Sequence, residues 1–159
     1  MNTLIVFSTK HGCTEKCAKL LSNELKDKID LVNLKTAKDI DISTYDKVII
    51  GGSIYIGRIQ KEVREFCLNN LEKLKEKKVA LFICGMQEGD LINTEINENF
   101  PKELIESSII KSHFGGEYNF DNMSFFEKLT VKIVAKASSS KSNILNDNIK
   151  SFAKTLNSI

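Results

Sequence analysis

Three short runs constrain what this chain can fold into. Leu4-Ile5-Val6-Phe7, Val48-Ile49-Ile50 and Val79–Cys84 are β-favouring and apolar, and each runs straight into a loop that carries glycine. Val48–Ile50 shows no polar alternation, which implies a strand covered on both faces. Helical spacing follows the first run: Cys17, Leu20, Leu21 and Leu25 lie along Thr14–Leu25, with Thr14 expected as the cap. A second helix is expected over Gln60–Leu74, whose Val63, Phe66, Cys67, Leu71 and Leu74 share one side. A third, Asn93–Ser107, should break near Pro101. Asp30–Leu34 and Ile109–Tyr118 complete a set of five strands, and Phe125–Ala137 and Ile144–Leu156 read as two last helices around the turn Ser138–Ser142. Strands alternating with helices imply an α/β fold: a doubly wound five-stranded parallel sheet with helices on both faces. In such sheets the ligand lies beyond the C-terminal strand ends, so the loops after the three apolar runs carry the function.

Composition excludes several classes. The chain has 159 residues, enough for a single domain with a real core, and a formal charge of +2, too small to make nucleic acid a general partner. The start of the chain has no secretory h-region, and no apolar run approaches the ~20 residues of a membrane span. The four cysteines then read as reduced thiols in a soluble, intracellular protein.

The first loop, Ser8-Thr9-Lys10-His11-Gly12-Cys13-Thr14, opens directly into a helix. A helix N-terminus presents unpaired N–H groups and partial positive charge, and hydroxyls beside a glycine turn that end into a phosphate cradle. The second loop is Gly51-Gly52-Ser53-Ile54-Tyr55-Ile56-Gly57-Arg58, and the third is Cys84-Gly85-Met86-Gln87-Glu88-Gly89-Asp90. Glycines there let backbone groups approach a flat ligand, and Tyr55 offers a ring for stacking. A phosphate pocket in one loop and a planar slot between two others make a mononucleotide-sized site.

On these residues the chain resembles the flavodoxin family along its whole length. Ser8–Thr14 matches that family's hydroxyl-rich cradle, and Gly51–Tyr55 matches the loop that carries its ring-stacking aromatic. Phe7–Gly12, Tyr45–Ile54 and the Phe125–Lys136 helix are similar to one branch, the flavodoxin-like menaquinone-dependent protoporphyrinogen IX dehydrogenases. The resemblance implies noncovalent FMN and oxidoreductase chemistry. Ser8, Thr9, Lys10, His11, Gly12, Cys13 and Thr14 would surround the phosphate. Gly51, Gly52, Ser53, Ile54, Tyr55, Ile56 and Gly57 would lie along the ring, and Cys84, Gly85, Met86, Gln87 and Gly89 would meet its pyrimidine edge. No residue is assigned a separate catalytic role and no metal is expected. Either Tyr55 or Ile56 stacks on the ring, because the family's contiguous aromatic–glycine pair is interrupted here by Ile56.

Implied partners are a quinone or a redox protein, with a tetrapyrrole precursor as substrate. A helical insertion over 119–143 precedes the last helix, and its Lys128, Lys132 and Lys136 form a stripe suited to an anionic partner or to peripheral membrane contact through 123–137. The alternative within the same family is a non-catalytic electron carrier. Such carriers are usually strongly acidic, whereas the isoelectric point here is 8.3. A phospho-acceptor receiver of the same topology would need acidic residues after the first strand, where Ser8-Thr9 stand. The residues also have blander readings: His11 as an exposed loop histidine, Cys67 and Cys84 as core thiols, and His113 as a sheet residue.

Overall fold

The computed structural model describes residues 1–118, 127, 129 and 141–159. In chain order the elements are β1 (Asn2–Ser8), α1 (Cys13–Glu24), β2 (Lys28–Asn33), β3 (Lys47–Tyr55), β4 (Arg58–Ile59), α2 (Lys61–Asn69) and α3 (Leu71–Lys75). Then come β5 (Lys78–Cys84), α4 (Asp90–Asn99), α5 (Lys102–Ser107), β6 (Ile110–His113), β7 (Gly115–Tyr118), β8 (Lys141–Ile144) and α6 (Asn146–Asn157). The main sheet runs β2-β1-β3-β5-β6, all parallel, with the short β4 turned back antiparallel on the end of β3. The order reverses at β1, and the crevice beside it is the switch point.

Both faces are dry, as the unalternating runs require. Leu4, Val6, Val48, Ile50, Val79, Leu81 and Ile83 pack on one face with α2, α4 and α5 residues such as Val63, Ile96 and Leu104. Ile5, Phe7, Ile49, Ala80 and Phe82 pack on the other with Leu21 of α1 and Phe152 of α6. There Phe82 stacks on Phe114 at 4.5 Å, and Phe152 meets both rings edge-on.

Several expected boundaries are corrected. The third strand does not stop at Ile50: Gly51, Gly52 and Ser53 continue the ladder, paired with Phe82, Ile83 and Cys84. A β-carbon at Gly51 would lie 2.0 Å from Phe82 Cζ, and one at Gly52 2.6 Å from Ile59 Cγ1. The two glycines therefore keep the strand close to its neighbours on both faces. The Gln60–Leu74 helix is two helices, parted at Asn70, whose side-chain amide donates to the Phe66 carbonyl at 2.9 Å and competes with helical pairing. The Ile109–Tyr118 strand is likewise two. Gly115, at φ +82°, bends the chain away from the main sheet, and β7 then pairs antiparallel with β8. Ile144, expected in the last helix, ends β8 instead. The break at Pro101 is observed, between α4 and α5. The Phe125–Ala137 helix with its lysine stripe lies outside the described residues, apart from Glu127 and Leu129, which are helical.

Candidate functional site

The loops after β1, β3 and β5 come together at the C-terminal end of the sheet. In the first, the helix begins one residue earlier than expected. Cys13 is its first residue and Gly12, at φ +96°, occupies the cap position with no capping side chain. Thr14 is thus inside the first turn rather than at the cap. A left-handed conformation favours glycine, and the space where a β-carbon would stand on Gly12 is open. Thr9 shapes the loop by accepting a 2.8 Å hydrogen bond from the Gly12 N–H. The Thr14 side chain is fully buried, and its hydroxyl has no partner among the described residues. A buried hydroxyl left unanswered costs about 1–3 kcal/mol, so its position at a helix N-terminus points to a ligand acceptor.

Around this cradle stand Ser8, fully buried, which donates to Glu62 at 3.3 Å, and Lys16, which pairs with Glu117 at 2.9 Å. Hydrogen bonding to Glu117, and then its charge, raises the Lys16 ammonium above its ordinary value. His11 is not the exposed loop histidine of the bland reading. Its ring is 12 % exposed and pairs with Glu127.

The second loop is a two-residue hairpin turn. Tyr55 pairs with Arg58, and between them Ile56 (φ +48°) and Gly57 (φ +72°) both take positive φ, the signature of a type I′ turn. Glycine suits its place, but a β-branched residue with positive φ is an outlier that the surrounding structure must hold. What holds it is Asn99 of α4. Its Oδ1 accepts from the Ile59 N–H at 2.9 Å, and its Nδ2 donates to the Gly57 carbonyl at 3.0 Å and the Glu95 carbonyl at 2.7 Å. Gln60 adds a clamp on Ser53, donating to its hydroxyl at 2.8 Å and accepting from its N–H at 2.9 Å. Ile54 is buried, whereas Ile56 is 63 % exposed at the apex. The Lys10 ammonium lies 3.5 Å from the Tyr55 ring centroid, joining the first loop to the second by a cation–π contact.

The third loop is tied to β6 and β7. Gly85 donates its N–H to Gly115 at 2.8 Å, and its carbonyl accepts from His113 Nε2 at 2.7 Å. Any backbone donor this loop offers a ligand therefore lies beyond Gly85. Gln87 folds back over Gly85, where a β-carbon would meet its Oε1 at 1.9 Å. Burial pushes the Glu95 carboxyl up, opposed by a hydrogen bond from Gln87. Met86 is half-buried, and Gly89, at φ +64°, opens α4. Cys84 is buried beneath the loop with Cys13 and Cys17. The structure thus brings the three predicted loops to one end of the sheet. Asn99, Gln60 and His113, which position those loops, were not legible as site residues. An Asn inside a polar helix carries no local mark of what it reaches.

Fold and site together define a flavodoxin-like α/β protein. The Flavodoxin domain family matches residues 4–144, and the chain belongs to that family. Among curated proteins it is similar to the protoporphyrinogen IX dehydrogenase [quinone] of Escherichia coli (strain K12), 25 % identical over 146 residues that cover 87 % of this chain and 81 % of that one. Among solved structures, a short-chain flavodoxin associated with a non-canonical PDU bacterial microcompartment superposes with a TM-score of 0.63 at 16 % identity, covering 98 % and 96 % of the two chains. A flavoprotein from Lactobacillus acidophilus NCFM, solved in complex with FMN, gives a TM-score of 0.50 at 17 % identity over 84 % and 98 %. None of the described helices is long and apolar enough to cross a membrane.

Proposed function

We propose that the protein binds FMN noncovalently at the strand-end crevice and works as an oxidoreductase that takes electrons from a reduced tetrapyrrole such as protoporphyrinogen and delivers them to a quinone. The observation that carries this reading is the fully buried, unanswered Thr14 hydroxyl at the start of α1, beneath the open face of Gly12. When bound, FMN supplies the redox chemistry, and the protein supplies position and access. The Thr14 hydroxyl and the N-terminal N–H groups of α1 would hold the phosphate, with Lys10 as the near cation. The turn at Tyr55–Gly57 would flank the ring, and Lys10 would have to leave the Tyr55 face for that ring to stack there. Backbone groups from Met86 to Gly89 would meet the opposite edge. The 25 % identity to a quinone-dependent protoporphyrinogen dehydrogenase supports this choice of substrate and acceptor, as does a charge of +2, unlike that of an acidic carrier.

The test has two stages. Titration of the purified protein with FMN should quench the flavin fluorescence to a 1:1 endpoint, and unquenched flavin would overturn the cofactor assignment. The loaded protein, mixed anaerobically with protoporphyrinogen and a menaquinone analogue, should form protoporphyrin. Tight FMN binding with no turnover would replace the dehydrogenase by the carrier.

A further inference from the structure

Cys13 and Cys17 lie one turn apart on α1, and Cys84 ends β5 in the neighbouring sheet. Their three sulfurs all lie within 4.8 Å of one another. All three are free thiols and buried, at 7 %, 0 % and 1 % exposure. Three of the four cysteines in the chain thus meet at one point, while Cys67 packs in the core on the opposite face of the sheet. A single buried cysteine is adequately explained as a small apolar side chain. Three convergent sulfurs from two separate segments form a donor set.

We propose that Cys13, Cys17 and Cys84 form a three-sulfur site for a soft monovalent metal ion, of which cuprous copper is the type. Thiolate ligands select such ions, whereas structural zinc takes a fourth protein ligand, and among the described residues no histidine or carboxylate joins the group. The surroundings agree. Phe7, Ala18, Phe82 and Phe114 belong to the same apolar cluster, so water is a poor candidate for a fourth position. Cys13 is the first residue of α1, where the helix N-terminus favours a thiolate. Binding is a proton-for-metal exchange without change of oxidation state. Each sulfur–metal bond forms as that thiol gives its proton to the buffer, so affinity rises with pH. The site does not depend on the flavin reading, which uses the Thr14 hydroxyl and backbone N–H groups and none of the three sulfurs.

Reduced, metal-free protein titrated anaerobically with cuprous ion against bicinchoninate tests this directly. The protein should withdraw one equivalent per chain from the chelator and develop an ultraviolet thiolate-to-metal band. Loss of a supporting partner alone weakens metal sites about 10–100-fold, so loss of a ligand in Cys17→Ser or Cys84→Ser should cost about 100-fold or more, while Cys67→Ser should match the parent. Copper that stays on the chelator, or a folded Cys17→Ser that competes as well as the parent, overturns the site. X-ray absorption of the unmutated protein with one copper bound gives a test that no folding defect can confuse. A first shell of three sulfurs supports the site, and a shell of nitrogen or oxygen overturns it.

Discussion

At the scale of the residue, Thr14 separates a structural role from a binding one. Its hydroxyl is buried and unanswered among the described residues, so it adds nothing to the free protein that a methyl group would not. Thr14→Val should therefore leave the thermal midpoint unchanged or slightly raised. The same substitution should weaken FMN binding by about 1.5–3 kcal/mol, the value of a hydrogen bond to a charged group. Fluorescence titration beside a melting curve reads both effects, and unchanged affinity removes Thr14 from the site. The hydroxyls and glycine of the first loop were legible in the sequence because a phosphate cradle is local. Gly51 shows the opposite case. It reads as a place where a ligand approaches the backbone, but the close neighbour is the Phe82 ring, brought there by a strand that lies far along the chain. The trio of sulfurs was illegible for the same reason: Cys13 and Cys17 show helical spacing, and nothing nearby announces Cys84.

At the scale of the element, the hairpin turn at Ile56–Gly57 keeps its strained shape because α4 reaches across to it. Asn99→Ala removes the acceptor for the Ile59 N–H and the donor to the Gly57 carbonyl. Leaving those groups unpaired should cost about 2 kcal/mol in urea unfolding and should weaken FMN binding, because the turn that flanks the ring is released. Faster amide exchange confined to 55–59 would locate the effect, and full FMN affinity in a destabilised variant would detach the turn from the ligand. The existence and order of most elements followed from apolar runs and helical spacing. Their ends did not, because ladder pairing carried β3 through two glycines, an Asn side chain divided α2 from α3, and Gly115 turned β7 out of the sheet.

At the scale of the whole molecule, the starting ends of the strands are gathered by one buried charge. Lys47 is 2 % exposed, and its ammonium lies 3.0 Å from Asp27 and donates to the Leu156 carbonyl at 2.6 Å. Asp27 also accepts from the Thr3 hydroxyl at 2.7 Å and faces the Met1 amino group at 3.9 Å. Lys47→Met strands Asp27 and the last turn of α6, and should destabilise the protein by about 3 kcal/mol in urea unfolding at neutral pH. Burial works to raise the Asp27 carboxyl, but the hydrogen bonds from Thr3 and Lys47 prevail and hold it below the usual carboxylate range. A folded-state value lower than the unfolded one stabilises the protein fully above about pH 4 and loses that contribution as pH falls through the depressed value. Stability measured from pH 6 down to pH 3 should therefore fall more steeply in the parent than in Lys47→Met, and equal slopes would show that Asp27 draws little from its partner. The same knot places both chain ends at one pole. With β1 spanning about 20 Å, a fluorophore or affinity handle spliced onto either end would stand a full sheet height from the crevice, so surface immobilisation by either end should leave ligand on-rates indistinguishable from those in free solution.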